Sequence, residues 1–435
     1  TRDIKSSDKT NYYIASSTKS FTSLLALILD KEGVLSLDDP FVKFFPEVNF
    51  PDSLPVEKVK LRDLLTHTSG LHNPGIGFRV AYSGEHTRAL LNELIQYTEP
   101  NRVGYGRYQY TNVGYNIYTL ILENETGKKW QDWLEEKVFN PIGMNRTTAY
   151  MSRAEKNNWE LARPYLHRGP GKREEGYLMK KDNTMQSAGG LITNAQDLAK
   201  WLKIQLNEGK LDGKQIFPKE VIKAAQEIQT PVPVRKGHIF AGKGYGMGWE
   251  IGEYDSQKVV HHFGGFPGFY THVSFMPEKD LGLAVMVNEA SVGYRVMNLI
   301  AGYMYDFFLD PANTNFDKNQ AKSLKKLAER QAKRLIAIQE HEEERAARSW
   351  QLSKSHKIYT GEYYNKIYGT IKVYEKGTEL WLELGNLKAR ATAYTRPESI
   401  RVEFSPGSGE AILFKWENEK LTGLLSDGDF FEKLK

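Results

Sequence analysis

In "SFTSLLALILDKEG", from Ser20, apolar side chains recur three and four residues apart and Gly33 follows the last of them. That pattern predicts a helix closed by a glycine stop. The same period predicts a short helix running into a turn in "LRDLLTHTSGL" (Leu61–Leu71) and further helices at about 86–98, 113–126, 129–138 and 217–228, with another opening at the cap in "TNAQDLAKWLKIQL". The pattern then changes. "YGMGWEI", "KVVHHFG", "FYTHVSFM" and "GLAVMVNE" are short β-rich runs between Gly, Pro and charged turns, which predicts consecutive antiparallel strands, and a helix near 292–308 follows them. Helices in the middle and strands gathered at one end predict an α/β arrangement, an antiparallel sheet flanked by helices with an all-helical region beside it.

Beyond residue 312 the pattern changes twice. Residues 316–349 are highly charged, with a sparse seam at Leu324, Leu327, Leu335 and Ile338, which predicts a solvated linker helix with one packed stripe. The seam is too short for several coiled-coil heptads. From about residue 356 eight β-rich runs recur near ten-residue spacing, separated by turns such as "SPGSGE" and "SDGD", as in a small antiparallel barrel or sandwich. The expected division is a domain over 1–312, a helical linker over 313–352 and a β-barrel domain over 353–435.

Composition narrows the classes. With 435 residues, 40% apolar and 26% charged, the chain can bury more than one core. A net charge of +5 over this length implies neither nucleic acid nor a membrane surface as partner. With no cysteine, disulfides, thiolate metal sites and cysteine nucleophiles are excluded. No apolar run approaches the roughly 20 residues of a membrane span, and the polar start "TRDIKSSDKTNYY" does not read as a signal peptide.

Three motifs carry chemistry. S-x-x-K occurs at Ser6/Lys9, Ser16/Lys19 and Ser323/Lys326, but only the Ser16 copy follows an extended apolar run and opens an apolar helix. There the i, i+3 spacing stacks a hydroxyl and an amine on one face beside the positive end of the helix. Read structurally, Ser16 is a helix cap and Lys19 a surface residue. Y-x-N occurs at Tyr110–Asn112, ahead of a helix, and again at Tyr363–Asn365 inside a β-rich run where packing explains it. A phenol near Lys19 would have its anion stabilised and could act as a general base, and the amide could hold both lysine and substrate. In "VVHHFGGFPGF", His262 and Gly264 are expected to end a strand and Gly265 to begin a turn. His261 and His262 then face opposite sides, so one of them at most reaches a shared cleft, and His262 is the choice. Adjacent strand histidines cannot chelate one ion, and there is no H-E-x-x-H, so no metal is expected.

In this order the three motifs make the chain resemble the serine β-lactamase and penicillin-binding protein superfamily, in the branch with class C β-lactamases, D-amino-acid-specific peptidases and related esterases. "IASSTKSFTSLLALILDKEGVLSLDDPFVKFFPE", "LRDLLTHTSGL", "FNPIGMNRTT", "SAGGLITNAQDLAKW" and "GGFPGF" match the same branch, over about residues 12–308. The C-terminal part resembles the lipocalin-like domain attached to some of these enzymes. The resemblance implies a β-lactamase-like fold and a serine hydrolase without cofactor. Ser16 would be acylated, Lys19 and Tyr110 would transfer the proton, and Asn112 would position substrate and lysine. His262 would stand where relatives carry lysine, Gly264 would complete the motif, and the N–H groups of Ser16 and Gly265 would hold the oxyanion. Gly189 and Gly190 would border the cleft, and His67 would have no catalytic role. An imidazole in place of a permanent cation favours peptidase or amidase work on short or D-residue peptides over β-lactam hydrolysis, with carboxylesterase activity on the same machinery as the alternative. A non-catalytic binding protein retaining the fold is the reading from a different class. The resemblance also favours the periplasm or cell surface and allows a homo-oligomer. Relatives place a helix and two strands before the nucleophile. Only fifteen residues precede Ser16, so either upstream residues are missing or the sheet is completed differently.

Overall fold

The computed structural model describes residues 5–234, 238–312 and 315–435. At the centre is α1 (Thr18–Lys31), buried on nearly every side, with Phe21 stacked on Trp201 at 3.9 Å. Helix α2 (Val113–Thr126) is buried from Val113 to Leu122, and α3 (Ala195–Leu206) starts where the Asn194 side chain accepts from Asp197 N–H. Six strands form an antiparallel meander: β1 (Thr230–Pro231), β2 (Ala241–Tyr245), β3 (Glu250–Tyr254), β4 (Gln257–Phe266), β5 (Phe269–Met276) and β6 (Leu281–Val287). Alternation assigns the two faces. Val260, Val273 and Phe275 join the main core with α1 and α3, while Val259 and Met276 pack with Tyr305 of α4 (Gly293–Leu309).

A long helix, α5 (Asn315–Ala346), leads to the second unit. Its strands are β7 (Gly361–Asn365), β8 (Gly369–Lys376), β9 (Glu379–Leu384), β10 (Leu387–Arg390), β11 (Thr392–Ala393), β12 (Ser399–Ser405), β13 (Ser408–Glu417), β14 (Lys420–Ser426) and β15 (Asp429–Lys433). These nine strands form a nearly closed antiparallel barrel in the order β10-β9-β8-β7-β15-β14-β13-β12-β11. Buried Tyr363, Ile371, Leu382, Ile400, Phe414 and Leu424 fill it.

The barrel is fastened to the first unit. The guanidinium of buried Arg79 donates to the Ile367 carbonyl at 2.7 Å, to Lys366 at 3.3 Å and to Glu85 at 2.9 Å. A relay of ring contacts, Phe431–Tyr368–Phe78–Tyr82–Phe266–Tyr13, runs from the barrel interior to the segment just ahead of Ser16.

Most expected elements are present, and the differences have physical reasons. "YGMGWEI" is two strand ends around a loop, because Gly248 has φ +77° and a Cβ there would lie 2.5 Å from the Lys19 carbonyl oxygen. The strand bearing His262 does not stop at Gly264; β4 stays paired through Gly265↔Tyr270 and Phe266↔Phe269. The expected run at 388–395 is split into β10 and β11. In the expected seam of α5, Leu324 is exposed, whereas Leu327, Leu335 and Ile338 are half-buried. The hairpin formed by Tyr165–Gly169 and Lys172–Glu175 was not anticipated. Tyr12–Tyr13 pairs with Ile192–Thr193 in a separate two-stranded sheet and does not extend the meander. The expected boundary between residues 312 and 313 borders residues outside the described set. Among the described residues no helix is long and apolar enough to cross a membrane.

Candidate active site

Ser16 sits in a single 3-10 turn, Ala15–Ser17, directly ahead of α1. It is not the helix cap. Ser17 occupies that position, makes no side-chain cap and instead donates its hydroxyl to the His262 carbonyl at 3.0 Å. Ala15 has φ +45°, a conformation that costs a non-glycine residue energy and turns the chain sharply before the serine.

One turn on, Lys19 is fully buried. Its Nζ lies 2.8 Å from Asn112 Oδ1, 2.7 Å from the Ala188 carbonyl and 3.4 Å from Ser16 Oγ. No carboxylate contacts it among the described residues, and burial draws its pKa well below the ordinary lysine value. All three neighbours can accept from Nζ, and the Ser16 contact is the longest of the three. Loss of one proton from Nζ would leave the two short bonds in place and turn a lone pair to the serine hydroxyl.

Tyr110 and Asn112 lie just before α2, Asn112 being its N-cap. Tyr110 hydrogen-bonds Ser16, and its ring centroid is 4.9 Å from Lys19 Nζ. Burial pushes the phenol up, with only the Ser16 side chain acting the other way, against the sequence-based expectation of a stabilised phenolate. Tyr115 and Tyr245 enlarge the phenol cluster. Tyr115 OH shares hydrogen bonds with Ser23 at 2.9 Å and with Tyr245 at 3.4 Å, and donates to the Leu65 carbonyl.

His262 faces this cluster, and both of its ring nitrogens are engaged. Nδ1–H donates to the Phe263 carbonyl at 2.8 Å, and Nε2 pairs with Tyr245 OH at 3.3 Å. Burial, then the proximity of Lys19, lowers its pKa to about 3. The sequence reading gave this imidazole a variable charge near neutral pH; in the fold it is neutral there. Gly264 brings β4 against the turn that carries Ser16, since a Cβ would stand 2.0 Å from the Ile14 carbonyl oxygen. Gly265 is less crowded; a Cβ there would make ordinary contact with Tyr270. Gly189 lies against the Ala15 backbone, and Gly190 ends the short helix Gln186–Gly189 that presents the Ala188 carbonyl. The remaining motif copies lie elsewhere. Ser6 bonds Tyr12, Ser323 is on α5, and Tyr363 donates to the Tyr359 carbonyl inside the barrel.

His67 was read as having no catalytic role, yet its buried ring lies tilted on Tyr110 at 4.5 Å. Its Nδ1 accepts the Thr111 N–H at 3.2 Å, its carbonyl accepts the Gln109 N–H at 2.9 Å, and its φ is +63°. It therefore grips the Tyr110 loop at two points. Nothing in "LLTHTSGL" announces a positive φ at a histidine, so only geometry reveals the grip. Asparagine tolerates this backbone conformation and carries an acceptor in place of Nδ1, whereas leucine offers neither. His67→Leu is expected to lower kcat by about 10²-fold through misplacement of the loop, and His67→Asn to restore most of it. Equal losses in steady-state assays of the two variants would count against this role.

The family described as Beta-lactamase matches residues 2–302. The chain is 25% identical to "Unguisins hydrolase ungD'" of Aspergillus campestris, across 72% of this chain and 59% of that protein. It is 28% identical to penicillin-binding protein 4* of Bacillus subtilis, across 60% of this chain and 58% of that protein. The chain thus spans less than two thirds of the length of these curated relatives. In structure it is similar to the octameric penicillin-binding protein homologue from Pyrococcus abyssi, with TM-score 0.58, 25% identity and coverage of 98% of this chain and 89% of that one. It also shares the fold of the D-amino acid amidase from Ochrobactrum anthropi SV3, with TM-score 0.55, 22% identity and coverage of 69% and 85%. The match across residues 2–302, together with the β-lactamase-like fold, means that the chain belongs to the Beta-lactamase family.

Proposed function

We propose that this protein is a serine hydrolase that forms an acyl-enzyme on Ser16 and acts as an amidase or peptidase on short or D-residue-containing peptides. The observation that carries the reading is the environment of Lys19: a buried amine, its pKa lowered by burial, held by Asn112 and Ala188 with Nζ 3.4 Å from Ser16 Oγ. As Ser16 Oγ bonds to the substrate carbonyl carbon, its proton passes to Lys19 Nζ, with Tyr110 OH as relay. The carbonyl oxygen becomes an oxyanion, held by the N–H groups of Ser16 and Gly265. When the C–N bond breaks, the leaving nitrogen takes the proton back through Tyr110. A water molecule then repeats the sequence on the ester and frees Ser16.

A neutral His262 with both nitrogens engaged supplies no fixed cation for a carboxylate beside the scissile bond. This favours a peptide amide over a β-lactam. The D-amino acid amidase and penicillin-binding protein neighbours support the same class, and the octameric neighbour supports a homo-oligomer. The same reading treats residues 1–312 as the hydrolase unit, 313–352 as linker and 353–435 as the barrel unit.

A fluorophosphonate probe is expected to add one label, mapped to Ser16 by mass spectrometry, and D-aminoacyl amides and short peptides are expected to be cleaved as well as p-nitrophenyl esters, whose activated leaving group makes them easy substrates for any acyl-enzyme. No label and no turnover on either panel would refute the hydrolase reading. Ester cleavage with no hydrolysis of any amide or peptide would replace amidase by carboxylesterase.

A further inference from the structure

A second cleft, of about 1080 Å³, lies where the hairpin Tyr165–Glu175, the C-terminal end of α5 and barrel strands β9, β10 and β12 meet, and none of the residues around Ser16 lines it. Small-molecule sites occupy about 300–1,000 Å³, so the space is ample. Tyr177, Trp350 and Trp381 contribute flat apolar wall, and Trp350 is 41% exposed. Trp350 meets the His356 ring edge-on at 4.6 Å and leaves the rest of its surface open beside the charged groups of the cleft, where an amphipathic ring can take a ligand.

The charges in the cleft do not cancel. Glu174, Glu342, Glu379 and Glu403 each pair with an arginine of the lining, and Glu343 accepts from the Gln339 amide. Lys172, Arg348 and Lys388 face the same space with no carboxylate partner among the described residues. Arg348 lies over the Tyr394 ring and Lys388 over Tyr177. The local field is accordingly positive. Arg345 is drawn below its ordinary value by burial and then by Arg401 and Arg348. Burial would raise the Glu403 carboxyl, yet Arg401 and Arg168 hold it below the usual range.

The geometry points to a binding site for an organic carboxylate with a flat apolar body, its charge taken by Lys172, Arg348 and Lys388 and its body laid against Trp350, Trp381 and Tyr177. Charge-assisted bonds to two or three cations supply direction, and the rings supply desolvated area. The site is independent of the chemistry proposed at Ser16.

Isothermal titration of the full chain with 2-naphthoate tests it, with 2-naphthylmethanol as the uncharged analogue and inorganic phosphate as the charge without the body. One site is expected for 2-naphthoate, weakened about a hundredfold by Arg348→Gln with Lys388→Gln, because each of the two lost charge-assisted bonds is worth about tenfold. Those two side chains hold no ion pair among the described residues, so the fold is retained. Trp350→Leu is expected to weaken binding as well, Ser16→Ala to leave it unchanged, and both analogues to bind about tenfold more weakly. No binding at millimolar 2-naphthoate, full affinity in the Arg348→Gln/Lys388→Gln variant, equal affinity for either analogue, or loss in Ser16→Ala would each overturn the assignment.

Discussion

Lys19→Met is expected to lower kcat/KM on any cleaved substrate by about 10²–10⁴-fold, the range for loss of a positioned general base. Ser16→Ala and the double variant are expected to fall to the same residual rate, because two groups that act as one unit lose their whole effect when either is removed. Methionine keeps the volume and apolar stem of the buried side chain but cannot take the serine proton. A separate signature follows from burial. The Lys19 pKa is depressed in the fold relative to the ordinary value of 10.5. Between those two values the unfolded chain binds the extra proton, so the free energy of unfolding rises with pH across that window and the penalty is fully present below it. Lys19→Met removes this component, and chemical denaturation at a series of pH values would register a flatter profile than wild type. A variant that keeps the wild-type slope would show that Lys19 is already charged in the fold, and the proton-acceptor assignment would fall with it.

Gly264→Ala is expected to damage both stability and activity. The new methyl would meet the Ile14 carbonyl oxygen at 2.0 Å, and that oxygen belongs to backbone on the turn that carries Ser16. Neither side can yield cheaply, because Ser17 is tied to the His262 carbonyl and Gly265 remains in the β4–β5 ladder. Overpacking of this kind costs about 1–3 kcal/mol, and the turn must move away from the strand. Gly265→Ala is the control for stability alone, since its Cβ finds 3.5 Å of room beside Tyr270. Thermal unfolding of the pair and kcat of Gly264→Ala provide the check: a tolerated Gly264→Ala would mean that strand and turn are not held as described.

Helices whose apolar period and stop signals agree were readable in the sequence. The 113–126 helix is bounded as expected because Gly127 follows it with φ +69°. The grouping of Ser16, Lys19, Tyr110 and Asn112 was expected from the family resemblance that the motifs carry rather than from spacing, and the contacts of Lys19 bring these residues together. Three features were not. The Ala188 carbonyl that clamps Lys19 is a backbone group, and no side-chain pattern encodes it. Gly265 reads as the start of a turn after a strand ending at Gly264, yet the strand runs on to Phe266, and glycine serves for close approach at Gly264. The hairpin Tyr165–Glu175 is polar and mostly lacks the alternation that marks a half-buried strand, so only its packing against α5 and the barrel makes it visible.

Arg79 bears on modularity. Excising the barrel after residue 350 would strip two of the three acceptors from a buried guanidinium and bare the Phe78 ring to water. The same apolar cluster that fills the barrel includes Tyr13, Ala15 and Phe266. A truncated chain is thus a damaged first unit rather than a minimal one, and the loops of the C-terminal unit at 366–368 and 385–386 are where a distant substitution would reach the proposed site through the first unit.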